Sequence, residues 1–563
     1  MTSLKPLSDA SLASLLPSKP TPPAPCGTRE LDGAALIGMT RVGAAVVSPD
    51  GTKAVLHTKT YDMDAKKFDE TLWLVDLLVD DAAAVAAHKH LTPLVRGPAN
   101  TPQWSPCGKY VAFLSTRGGD TSAVWAIPAT GPGEASLLKR FPVSVANLRW
   151  EAGGLVVSAS VYVDLDAGAE ALAATATRDA AKTATPQGGL DVHLFKRLPV
   201  REWDRWVNAK FAHPFFQRLT VGPDGAYVAE GLPVDGLSRV PTACPSGAFG
   251  GSEDWSMCPA SGAVALSCRP PLAPDEAWTT TRHVYLKARG FGDAVTDAAA
   301  AAEGDDDEAV CLTEGNSGCD FAPAFSPDGS KLAWLTMAGP QYEADAVGIK
   351  LYDVATKEIT DLVQADVGFD YSPLSIAWAK NSATLYFTAN VRARRRLCAV
   401  DVATKDVSIL GDADGSLALH GEMGWASAAG GGAGNSATLL LVSKSSFAAP
   451  AELYRCRREG ARLTLEPLTA FNAANLSAVD LGAAENVTFR NPRPGRESPS
   501  GADVQAWLVR PPRFDAAKKW PLAVVVHGGP QGAICDEWHY RWNLQSYGAW
   551  QRGDILGAIH IKK

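Results

Sequence analysis

One turn is written three times in this chain, and it confines the fold to a small set. Val46-Val47-Ser48-Pro49-Asp50-Gly51 leads into Thr52 to Leu56. Trp104-Ser105-Pro106-Cys107-Gly108 leads into Lys109 to Phe113, and Phe325-Ser326-Pro327-Asp328-Gly329 into Ser330 to Trp334. Each copy is an alternating strand, a tight turn of the Ser-Pro-Asp-Gly kind and a second strand, which is a hairpin by turn chemistry as well as by pattern. Looser copies run from Leu148 to Ser158, Asp254 to Ser267, Ile376 to Thr388 and Trp425 to Ser443. Several are followed by a second hairpin, as in Ile349 to Leu362 and Arg396 to Ile409.

Two hairpins make a four-stranded sheet, and a period of roughly 40 to 60 residues is the spacing of propeller blades. Starts near 46, 104, 148, 254, 325, 376 and 425 predict about seven blades, with six or eight left open. The wide third interval holds an Ala-rich insertion, 167–190, and Gly222-Pro223-Asp224-Gly225 is either a blade turn or a loop. A second insertion, Ala298 to Glu308, is too polar and repetitive to pack and reads as a solvated loop.

Beyond the repeats, Asn491 to Gly501 is rich in turn formers and reads as a hinge. Val504 to Arg510 reads as a strand ended by Pro511-Pro512. Leu522 to Val526 reads as a fully buried strand of the parallel-sheet kind. His527-Gly528-Gly529-Pro530-Gln531-Gly532 ends it, and glycines at such a turn let the backbone approach a ligand.

With 563 residues and 46% hydrophobic content, the chain has material for more than one folding unit. A formal net charge of −8 and the lack of a long basic stretch argue against nucleic acid as a partner. Arg394-Arg395-Arg396 reads as a solvated strand edge. The Pro-rich opening, Pro6 to Pro25, has neither the apolar core of a secretory signal nor a membrane-spanning run. Cytoplasmic residence is expected, with organelle targeting left open. Ten cysteines show no zinc spacing, so free thiols, no metal and no cofactor are expected. Cys311 and Cys319 are near enough in sequence to meet across a loop.

His527 to Gly532, followed by Trp538-His539-Tyr540-Arg541-Trp542-Asn543, resembles the prolyl oligopeptidase family of serine peptidases, in the dipeptidyl-peptidase V and acylaminoacyl-peptidase branch. Arg201-Glu202-Trp203-Asp204-Arg205-Trp206, Val240 to Trp255 and Asp275-Glu276-Ala277-Trp278 resemble the same branch, so the likeness spans about residues 30 to 553. The resemblance implies a mainly β architecture, an N-terminal β-propeller followed by an α/β-hydrolase domain. It divides the chain into a disordered segment 1–30, a propeller 31–490 and the start of the hydrolase domain 491–563.

The implied chemistry is removal of dipeptides or acylated residues from peptide amino termini through an acyl-enzyme. Gly529, with Gly528 beside it, matches the backbone oxyanion donor, and His527 shapes that loop. Trp538, Arg541 and Trp542 either line a substrate pocket or pack the domain interface. Glu202 and Glu276 are candidate anchors for a substrate amine, against the reading of ordinary solvated or ion-paired glutamates. The partner implied is a peptide, with homo-oligomerisation left open.

A nucleophile on the strand-to-helix elbow Gly-x-Ser-x-Gly is required by that chemistry, and no such pentapeptide occurs. Gly315-Asn316-Ser317-Gly318-Cys319 lacks the final glycine and the helical context. None of the Ser, Asp and His triad is assigned, so the chain is expected to be inactive on its own. Asp554 to Lys563 does not continue the family pattern, and the segment from about 491 is expected to be poorly ordered or aggregation-prone. The alternative function is a propeller binding scaffold or pseudoenzyme.

Overall fold

The computed structural model describes residues 29–560 apart from 132, 166, 185–194, 196–197, 208, 224, 272, 274, 292–308, 366, 412–413, 424–437, 492–501, 529–531 and 550–554. Seven antiparallel sheets follow one another along the chain, spanning 41–96, 100–139, 146–235, 255–311, 319–363, 373–410 and 416–467. Numbered in that order, they are the blades of a seven-bladed propeller. Six blades pair four strands in simple sequence order. Blade 3 carries a fifth short strand, Val234–Asp235, beside Phe211–Val221.

The repeated turn explains the hairpins atom by atom. In blade 1 the Ser48 hydroxyl accepts the Lys53 N–H at 3.0 Å and Asp50 accepts the Thr52 N–H at 3.0 Å. Gly51 takes φ +75°, open to glycine at little cost. Blade 5 repeats the device, with Lys331 N–H to Ser326 and Ser330 N–H to Asp328, both at 3.0 Å. Hydrogen bonds from Ser326 and Ser330 hold the Asp328 carboxyl down at about 2. The tryptophan of the repeat stitches neighbouring blades. Trp104 Nε1 donates to Val46 O at 2.8 Å across blades 2 and 1, and Trp378 Nε1 to Ala324 O at 2.9 Å across blades 6 and 5.

Apolar clusters fill the seven junctions between neighbouring blades. One joins Phe113 and Trp104 to Val55 and Leu72, and another joins Phe387 and Leu385 to Leu335 and Ile349. The ring closes where blade 1 meets blade 7, through Leu56, Val75 and Leu77 against Leu441, Leu453 and Leu468. Each blade is one continuous stretch of chain, so this closing junction rests on side-chain packing and a few cross-blade hydrogen bonds.

Several expectations need correction. Blade 7 begins at Ser416, ahead of Trp425, which lies outside the described residues. Within the Ala-rich insertion, Ala171–Ala184 is a helix that packs on blade 3. Alanine costs little side-chain entropy in a helix, and Leu172, Thr175 and Asp179 fall on one face. Leu172 and Thr175 are buried, and Tyr162 donates to Asp179 at 2.8 Å. Gly222 to Gly225 is a blade turn, closed by Gly222 N–H to Ala226 O at 2.8 Å. The insertion 298–308 and the hinge 492–501 lie outside the described residues. Of the segment 1–30, Arg29–Glu30 is described, paired in parallel with Val479–Asp480.

After the propeller comes a second sheet with the order Ala484–Asn491, Ala502–Val509, Ile555–His560, Leu522–Val526. The first three strands are antiparallel and the last pair is parallel. Ile555–His560, within the tail that leaves the family pattern, thus supplies an inner strand. Leu522–Val526 is not fully buried. It lies at the sheet edge with Leu522, Val524 and Val526 56, 53 and 61% exposed, while Ala523 and Val525 pack toward Trp507 and Val509. Period-two burial at an edge is what one covered face dictates.

Candidate active site

Two regions carry the residues singled out by sequence. The first is the loop after Leu522–Val526. Gly528 is exposed, and a Cβ there would meet nothing within 4 Å, so its backbone stands open. Gly529 lies outside the described residues. His527 Nδ1 contacts Gly528 O at 3.0 Å, so the ring binds its own loop. Gly532 folds back over it, with an added Cβ placed 3.2 Å from His527 Nδ1.

What fixes this loop is a residue that motif reading missed. Asp536 is 8% exposed; its carboxylate accepts Phe447 N–H at 2.8 Å and Gly415 N–H at 3.0 Å, and its own N–H donates to Ala393 O at 2.9 Å. One residue, through its side chain and its backbone N–H, thereby ties this stretch to blades 6 and 7. The arginine run belongs to the same contact, and its reading as a solvated edge is wrong. Arg394 lies 3.7 Å from Asp536 and over the Trp507 ring at 5.1 Å, Arg395 pairs with Glu537 at 3.6 Å, and Arg396 is buried. Opposite charges on the turn at 391–394 and on Asp536-Glu537 were the sequence signal.

Trp538 sits in the core that joins Leu31, Leu36 and Met39 to Val479 and Ala549, and its backbone N–H donates to Ser445 Oγ at 2.8 Å. Buried there, it packs among these side chains. Arg541 and Trp542 are exposed, the guanidinium 5.5 Å over the indole. Their N–H groups donate to His539 Nδ1 at 3.0 and 2.8 Å, which needs an unprotonated nitrogen. Burial, with Arg541 alongside, pulls the His539 pKa below its usual value, in the same sense.

The second region projects from blade 3 on the two-residue hairpin Arg201–Glu202 and Arg205–Trp206. Glu202 is held by Arg269, whose Nη2 donates to Glu202 Oε1 at 2.8 Å while its Nη1 donates to the backbone oxygen of Glu276 at 3.1 Å. Arg269 therefore brings together the two glutamates that sequence picked out separately. Gly247, at φ +58°, lies against the Glu202 carboxylate so closely that a Cβ would collide with it. Large aromatics around them face solvent. Trp203 is 66% exposed and pairs with Phe249 at 5.4 Å between centroids, and Trp278 is 63% exposed. A carboxylate beside exposed aromatic faces suits a cationic amine with an apolar neighbour. Among the described residues no group of three or more His, Cys, Asp or Glu is placed to hold a metal, and no helix is long and apolar enough to cross a membrane. The nine described cysteines are free, Cys311 and Cys319 included.

No protein-family model matches the chain. Among curated proteins, dipeptidyl-peptidase 5 of Porphyromonas gingivalis is 26% identical over 528 residues, covering 90% of this chain and 64% of that protein. Dipeptidyl-peptidase 5 of Aspergillus fumigatus is 26% identical over 521 residues, 91% of this chain and 66% of that protein. The chain thus spans a little under two thirds of the length of the first of these relatives. Among solved structures, the acylaminoacyl peptidase of Pyrococcus horikoshii superposes with a TM-score of 0.60 at 14% identity, over 94% of this chain and 66% of its own. A prolyl endopeptidase gives 0.52 at 11%, over 94% and 62%. The sequence relatives are dipeptidyl-peptidases 5 and the fold is shared with acylaminoacyl and prolyl peptidases, so propeller, following sheet and sequence likeness all support a peptidase of the prolyl oligopeptidase family.

Proposed function

We propose that this chain carries the substrate-recognising propeller of a serine peptidase that removes dipeptides or acylated residues from peptide amino termini. Similarity to dipeptidyl-peptidase 5 over 90% of the chain carries the reading. In it, a serine attacks the peptide carbonyl, the amine leaves, and water releases the acyl-enzyme. Gly529, with Gly528 beside it, donates backbone N–H to the oxyanion. Glu202 receives the substrate amine, Arg269 holds Glu202 in place, and Trp203 and Phe249 flank the first side chain. Because no Gly-x-Ser-x-Gly pentapeptide occurs in the 563 residues, this stretch alone is inactive. The working division is a segment 1–30, a propeller 31–490 and a hydrolase-type unit 491–563, with the strand Ala484–Asn491 pairing into the second unit.

Calorimetry with a short peptide, free or acetylated at its amino terminus, tests the reading. The free peptide binds and Glu202→Gln weakens it about tenfold, the worth of one charge-assisted hydrogen bond. Preference for the acetylated peptide moves the assignment to acylaminoacyl substrates. Binding of neither favours the scaffold reading, which the missing pentapeptide supports.

A further inference from the structure

The closing junction of the ring is built differently from the rest. Three backbone N–H groups cross it: Thr40 N–H ends on Asn472 Oδ1 at 2.8 Å, and the other two end on histidine ring nitrogens. Ala45 of blade 1 donates to His420 Nδ1 of blade 7 at 3.3 Å. Ala470, just past blade 7, donates to His88 Nε2 of blade 1 at 3.1 Å. A ring nitrogen accepts only through its lone pair, so both bonds require that nitrogen to be unprotonated. A third histidine, His90, meets Leu468 O at 2.7 Å through Nε2, in the donor role a carbonyl demands. The His88 ring also lies 4.9 Å from Phe471.

From this geometry we infer that the junction between blades 1 and 7 is an acid-sensitive latch. Protonation of His88 and His420 turns two cross-blade acceptors into donors that face Ala470 and Ala45 N–H, and loosens the ring at the junction that only side-chain packing and a few cross-blade hydrogen bonds close. Elsewhere the cross-blade bonds at Trp104 and Trp378 end on carbonyl oxygens, which do not titrate in this range.

The surroundings set the sign. Burial lowers the His420 pKa to about 4, with no charged neighbour among its causes. Burial, then the neighbouring His90, lowers that of His88. A histidine depressed in the closed state favours closure above its free value of about 6.5 and loses that contribution as pH falls toward the closed-state value. Other charged groups at the junction are Arg455, which joins Leu77 O, Asp80 and Glu466, and Glu452, which accepts from Thr469 and Asn472. Burial raises the Glu452 carboxyl, so its own titration favours closure in acid. Its sign is opposite, and variants of the histidines separate the two.

Amide hydrogen exchange on the whole protein, corrected for intrinsic rates, provides the test. Between about pH 7.5 and pH 5, protection at Ala45 and Ala470 falls by about tenfold or more, while blade 5 and 6 amides near Ala324 and Trp378 keep theirs. In the double variant His88→Gln with His420→Asn, whose amide oxygens accept without titrating, the fall disappears. Equal acid response at this junction and at blades 5 and 6 in the unmodified protein overturns the latch. So does a folded double variant with an unchanged response.

Discussion

Asp536 shows how one buried residue can tie the stretch after Leu522–Val526 to the propeller. Both of its oxygens are taken by backbone N–H groups of the propeller, and it is buried. Asn retains the shape but offers one acceptor, leaving Gly415 or Phe447 N–H facing an amide NH₂. Asp536→Asn should therefore destabilise docking of the second sheet by about 1–3 kcal/mol. Urea unfolding followed at Trp507, which packs in that contact, should show an earlier transition with the propeller transition in place. An unshifted Trp507 transition would deny Asp536 this role. Glu202 was legible from its place in Arg201 to Trp206, whereas Arg269, which orients it, was not. An arginine 67 residues away has no local signature, and only the fold brings it within 2.8 Å. Trp538 illustrates the converse. A tryptophan beside a glycine-rich loop reads equally as pocket wall or core, and its burial among Leu31, Leu36 and Met39 is a contact that local sequence does not reveal.

At the scale of elements, the hairpin and its tryptophan recur because they solve two problems at once. The Ser and Asp side chains close the turn, and the indole N–H reaches across to the preceding blade. Trp378→Phe keeps most of the apolar contact and removes the donor to Ala324 O. The expected loss is about 1–2 kcal/mol, read as a lower urea midpoint of the propeller transition with its slope unchanged. A midpoint equal to the parent's would show that the cross-blade bond adds nothing net. These hairpins were readable because turn chemistry is local. The edge strand Leu522–Val526 was misread because a run of Leu, Ala and Val looks the same whether one face is covered or two. Its three bare side chains form an apolar face of the kind expected to promote association. The helix Ala171–Ala184 was overlooked for a related reason, since alanine enrichment hides the three residues that bind it to blade 3.

For the whole molecule, seven blades and a following sheet were legible as repeat count and motif order, because each blade is contiguous in sequence. Ring closure was not, since it depends on residues near both ends of the propeller meeting, as Leu56 meets Leu441. The proposed function pairs an amine-binding surface at Glu202 and Arg269 with a sequence in which no Gly-x-Ser-x-Gly pentapeptide occurs. Native mass spectrometry of the protein with an amino-terminally free hexapeptide tests both halves in one spectrum. The predicted spectrum shows a non-covalent adduct of the intact peptide, weakened in Glu202→Gln and on acetylation of the peptide. A spectrum with an acyl adduct, or with peptide shortened by two residues, would place a nucleophile within the chain, and one without any adduct would remove the recognition surface.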